Sequence, residues 1–127
     1  MKNGHGYVVA SIGEIGGIVP YTSYSARTSY IEENSKIISK FKSAIQKGLD
    51  YVHNHSDLEV AEAISKQFPD SSLEDLEKVI ARYRKIEAWP VDVNFSEKSF
   101  ERLQTIMLDY GAIEKKVPYD KLIYNEK

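Results

Sequence analysis

Two places in this sequence hold residue types at spacings that could do chemistry. The first is glycine-rich: Gly4, Gly6, Gly13, Gly16 and Gly17 are five of the seven glycines, and Glu14 is the only acidic residue before Glu32. Glycine lets a ligand come close to the backbone, so Gly13-Glu14-Ile15-Gly16-Gly17 could line a ligand cleft with N–H groups. Glu14 would then offer its carboxylate to a cationic or hydroxyl-bearing ligand. The same residues also read as a plain flexible turn with a solvated carboxylate. They are no dinucleotide fingerprint, because no G-x-G-x-x-G lies between a strand and a helix, and no Gly-Lys-Ser/Thr phosphate loop is present. The second place is His53-x-His55. On a strand this pair would share one side and suit a metal. At the end of a helix it suits the dipole instead, and no further ligand lies nearby in sequence, so no metal is expected. There is no cysteine, which excludes a thiol nucleophile, a cysteine-ligated metal and a disulfide scaffold. No Ser/His/Asp or paired-carboxylate constellation appears. The expectation is no catalytic residue, no cofactor and no enzyme.

The elements that would position these residues divide the chain unequally. Residues 1–31 are rich in glycine and tyrosine. Gly6–Ile12 and Tyr21–Ala26 read as two short strands, with a loop from Gly13 to Pro20 between them. Residues 32–127 read as four to five helices. Asn34 or Ser35 caps the first, with Ile37, Ile38, Phe41, Ala44, Ile45, Leu49 and Val52 on its inner face. Ser56 and Glu59 form a capping box for the second, with Leu58, Ala61, Ile64 and Phe68 inward and Pro69 as its stop. Ser71-x-x-Glu74 repeats that form before a third helix, which carries Leu73, Leu76, Val79, Ile80 and Tyr83 and ends near Trp89-Pro90. Ser96 caps the fourth, with Phe100, Leu103, Met107 and Tyr110 inward and Gly111 as its stop. Pro118 opens a last turn through Leu122. The spans expected are 35–53, 57–68, 72–87 and 97–110, packed on one another. The charges of Glu74-Asp75-Glu77-Lys78 and Arg82-Arg84-Lys85 read as a solvated face. Trp89 reads as a plug at a helix junction.

Composition narrows the function classes. The chain has 127 residues and 42% apolar content, enough for one core and one partial domain, 1–127. Charged residues make up 28% and the net charge is −2, so the chain is globular and lacks the basic excess of a nucleic-acid binder. No apolar run approaches a transmembrane span, and no secretory h-region follows Met1.

The order of certain segments resembles the C-terminal part of ABC-transporter substrate-binding proteins of the nitrate/sulfonate/taurine type, a group that includes thiamine-pyrimidine-binding proteins. The segments are Gly13-Glu14, Ile18–Thr22, Tyr30–Ile38 and Ala44–Val52, then Trp89, Phe100–Met107, Gly111 and Val117–Leu122. The resemblance implies a two-lobed clamshell of periplasmic-binding-protein type II fold, of which this chain would be a C-terminal, α+β but mainly helical fragment without the first lobe or the export signal. It implies that the full-length parent is extracytoplasmic, periplasmic or a membrane-anchored lipoprotein. The parent would close around a small polar or anionic organic solute and dock on an ABC permease. The contacts it suggests here are Gly13, Glu14 and Thr22, with weak or absent binding because one wall of the cleft is missing. Relatives that make a thiamine precursor act through a histidine and a cysteine-rich segment, which has no counterpart here.

Unpaired strands seek partners, so a homodimer through residues 1–31 is also expected. A second reading, from another class, is a stand-alone cytoplasmic helical protein-interaction module. It rests on the share of the chain that is helical and on Met1 as a true start.

Overall fold

The computed structural model describes residues 9–10 and 17–124. Among these the chain is mainly helical and has no strand. The helices are α1 (Thr28–Glu33), α2 (Ser35–Asn54), α3 (Asp57–Ile64, continued by a 3-10 turn over Ser65–Gln67), α4 (Leu73–Lys85), α5 (Glu97–Asp109) and α6 (Tyr119–Leu122). They fall into two compact units, one of Ser25–Val93 and one of Asn94–Lys127 with the N-terminal residues up to Tyr24.

Two expectations for the N-terminal part are corrected. Tyr21–Ala26 forms no strand. A lone extended segment has no ladder to join, and among the described residues there is no second strand to pair with. The segment expected over Gly6–Ile12 lies outside the described residues except for Val9 and Ala10. Helix also begins earlier than expected, at Thr28. Ile31 lies in the helical period with Asn34 and Ile38, and neither glycine nor proline interrupts the chain between Pro20 and Gly48. Asn34 is the joint between α1 and α2, at φ −125° and ψ 33°. It caps with its backbone rather than its side chain, which donates back to the Tyr30 carbonyl at 2.9 Å.

In the first unit, Val60 and Ala61 of α3 meet Leu76 and Ile80 of α4 in a buried cluster, with Val52, Ile64 and Trp89 packed against it. Trp89 sits edge-on to Tyr83, ring centroids 5.6 Å apart, and plugs the junction as expected. The inner face of α3 is rotated from the expected one: Val60 is buried, whereas Leu58 and Phe68 are exposed. The helix is short and its last turn tightens to 3-10, which carries Phe68 off the stripe that a full α-helix would give.

Arg84 joins three helices of this unit. Its guanidinium donates to Asp57 Oδ1 at 2.8 Å, to the Val52 carbonyl at 2.8 Å and to the His55 carbonyl at 3.0 Å. It thereby satisfies carbonyls at the C-terminal end of α2 that the helix leaves without a partner. The solvated-face reading is therefore wrong for Arg84, though it describes the exposed Glu74–Lys78 pair well.

In the second unit, Phe100 of α5 is buried and meets Phe95 and Tyr119 edge-on, with centroids 6.1 and 5.8 Å away. The Tyr119 hydroxyl donates to the Phe95 carbonyl. Leu103 and Met107 are half-buried, but Tyr110, expected inward, is 89% exposed. It is the C-cap residue, where the chain already turns away from the helix.

Candidate functional site

Of the residues singled out for ligand contact, Gly13 and Glu14 lie outside the described residues. Thr22 is exposed on irregular backbone. Gly17, at the end of the glycine-rich stretch, has φ +69°, and a Cβ there would lie 2.9 Å from the Arg102 guanidinium carbon. The backbone at Gly17 thus favours glycine for its conformation, whereas the exposed end of Arg102 can swing aside from an added Cβ.

The two histidines serve their helix end. His53 Nε2 is 3.0 Å from the Pro90 carbonyl, and His55 Nδ1 is 2.9 Å from the Tyr51 carbonyl. His55 also stacks on the Tyr51 ring at 3.8 Å. Each ring has one nitrogen committed to backbone, and the two engage different segments. Among the described residues no group of three or more acidic or histidine side chains could hold a metal.

A feature that sequence reading missed is an open groove of about 430 Å³ between α5 and the segment that leads into α6. It is lined chiefly by Glu97, Phe100, Glu101, Lys116, Tyr119 and Asp120. Ser96 caps α5 by accepting from the Ser99 N–H at 3.2 Å, which places Glu97 in the first turn and Glu101 one turn later. Gln104, buried one turn beyond, holds the opposite wall. Its Nε2 donates to the Val117 carbonyl at 3.1 Å, and its Oε1 accepts from the Val117 N–H at 2.6 Å. The amide therefore copies the two-way pairing of a neighbouring strand and leaves Val117 fully bonded. Lys116 is drawn aside to the Thr105 hydroxyl at 2.6 Å. Three carboxylates around an aromatic floor suit a cationic or hydrogen-bond-donating group and oppose an anion. The i, i+4 spacing of Glu97 and Glu101 ahead of Pro118-Tyr119-Asp120 was visible in sequence. That they face one another depends on Gln104 reaching Val117.

No family model matches the chain, and no solved structure matches it. It is similar to a protein of Bacillus subtilis (strain 168) named "Putative binding protein YtlA", with 40% identity over 125 residues. The match covers 98% of this chain and 37% of that relative. The chain therefore spans well under half the length of the relative, and its likeness is to part of a binding protein.

Proposed function

We propose that this chain is the α-rich part of a solute-binding protein that serves an ABC permease, within the nitrate/sulfonate/taurine group. The observation that supports it best is the 40% identity to a binding protein along 98% of the chain. The 125 matched residues reach into both compact units. The parent would be extracytoplasmic, built on a type II periplasmic-binding fold, and would release its solute chemically unchanged. The likeness to a binding protein does not favour a stand-alone interaction module.

A solute enclosed by a two-part cleft takes its contacts from both walls, and closure adds those that raise affinity. The test is calorimetry on this chain and on the intact Bacillus relative, with taurine, an alkyl sulfonate and a thiamine pyrimidine as probes. The expected result is binding by the relative and weak or absent binding by this chain. Tight binding by this chain alone would contradict a two-walled site. No binding of any probe by the relative would refute the assignment to this group. Recovery of a modified solute would refute the reading as a non-enzyme.

A further inference from the structure

After α4 the chain passes from Trp89 over Pro90–Val93 and leaves the first unit at Val93. Side chains of α2 tie this segment down by its backbone. His53 Nε2 is 3.0 Å from the Pro90 carbonyl. Gln46, two turns earlier on α2, donates to the Val91 carbonyl at 3.1 Å and accepts from the Val93 N–H at 3.2 Å. Asp50 lies between the two in the helical row and takes a further hydrogen bond from the Gln46 amide at 2.8 Å, which orients it. The four residues they hold bury no side chain. Pro90, Val91 and Asp92 are exposed, Val91 to 77%, and Val93 is half-buried. Their backbone bends at residues 91–93 and joins no regular element. The residue before them is held differently. Trp89 packs against the Val60–Ile80 core and lies edge-on to Tyr83. Anchoring is thus apolar on one side of the Trp89–Pro90 bond and polar on the other. A hydrogen bond traded against water shifts an equilibrium by only about two- to tenfold, and backbone bonds with little apolar cover mark segments that open locally.

We propose that Pro90–Val93 is a strap that docks on α2 and lifts off it as one piece while the first unit stays folded. Trp89 is its fixed end, and Gln46 and His53 are the latch. The strap ends where the first unit ends, and Asn94 begins the second. Lifting it therefore adds four residues to the free connection between the units, up to about 13 Å of chain. Both latch side chains engage backbone, so the docking depends on the helix residues rather than on the side chains of the strap. The inference does not rest on the binding-protein reading, and either can fail alone.

Hydrogen exchange on the full chain tests the strap. The Val93 amide reports the latch, and the Ile80 amide, inside α4, reports the first unit. In the wild type Val93 should be protected, yet by at least about a hundredfold less than Ile80, and low urea should leave its rate unchanged. Gln46→Leu removes both bonds to the strap at a helix position that suits leucine. It should speed Val93 exchange by about tenfold or more and leave Ile80 within about twofold. His53→Ala should act in the same direction, less strongly. Val93 exchanging together with Ile80 would mean that the segment opens only when the unit unfolds, and would overturn the proposal. So would an unprotected Val93 in the wild type, a Val93 rate that Gln46→Leu leaves unchanged, or an equal rise at Val93 and Ile80 in both variants. A second measurement reads the reach. The chain has no cysteine, so spin labels at Lys66→Cys and Lys115→Cys report one distance between the two units. Adding Gln46→Leu and His53→Ala should extend that distance distribution to longer values. A distribution that stays the same would refute the lengthening.

Discussion

Two residues perform the same turn under different strain. Gly111 follows α5 at φ +75°. Its N–H donates to the Leu108 carbonyl at 3.0 Å, and the Ala112 N–H donates to Met107 at 2.8 Å. Glu87 follows α4 at φ +52°, with the Glu87 N–H on Arg84 at 3.1 Å and the Ala88 N–H on Tyr83 at 2.9 Å. Both are Schellman ends, whose left-handed residue is normally glycine. At Glu87 the side chain crowds the backbone, which costs about 1 kcal/mol. Glu87→Gly should therefore raise stability by roughly 0.5–1 kcal/mol despite the added freedom of the unfolded chain. Gly111→Ala should lower it by about 1 kcal/mol, although its Cβ would meet nothing within 4 Å. Urea titration of both variants checks the pair, and equal signs would show that backbone conformation is not the cause.

Helix ends also decide what happens when charges change. Arg84 is the tie among α2, α3 and α4, and its removal leaves Asp57 and two carbonyls at a half-buried junction without their donor. Arg84→Ala should cost about 2 kcal/mol. Arg84→Lys should recover only part of that, because one ammonium cannot match the fork of a guanidinium. At the start of α3, Ser56 and Glu59 close a reciprocal box. The Ser56 N–H donates to Glu59 Oε2 at 2.8 Å, and the Glu59 N–H donates to Ser56 Oγ at 3.3 Å. The hydrogen bonds from the Ser56 side chain and backbone hold the Glu59 carboxyl below its ordinary value of 4.5. A lowered folded pKa contributes stability that is complete above the unfolded value and fades as the pH falls through the folded one. Melting of the wild type should thus decline as the pH drops below about 4.5, and Glu59→Gln should flatten that part of the acid limb. An unchanged acid limb in the variant would remove Glu59 from the account. Of the inner face expected for α2, Ile38, Ile45, Leu49 and Val52 are half-buried, whereas Ile37, Phe41 and Ala44 are more exposed.

At the scale of the whole molecule, apolar area is left in view. Tyr21 is 98% exposed, and Tyr24 and Ile18 are also largely in solvent. Exposed aromatic surface of this kind favours association. Light scattering at high concentration should show a mass above the 14.5 kDa of one chain, and deletion of residues 1–26, which removes Ile18 and both tyrosines, should give the mass of a single truncated chain with helical content kept. A single-chain mass throughout would refute association through residues 1–31. A dimer that survives the deletion would move the interface to the helices.

Much of the local architecture was written in the sequence. Ser56 with Glu59, Ser96, Gly111 and Pro118 each mark an end of a helix through interactions that reach three or four residues, so the spans follow from short-range pattern. The second capping motif shows the margin: the cap is Ser72, which accepts from the Asp75 N–H at 3.2 Å, one residue beyond the Ser71–Glu74 pair that has the same spacing. What tertiary structure alone decided lies farther apart along the chain. Arg84 meets Asp57 across 27 positions and Gln104 meets Val117 across 13, and no periodicity names such partners. The acidic groove exists because Gln104 draws the segment before α6 back onto α5. On α2, Ile45, Leu49 and Val52 are half-buried while Ile37 and Ala44 of the same expected face are exposed. Both outcomes turn on which of several apolar or polar faces finds a partner, and a short-range pattern carries no information about that choice.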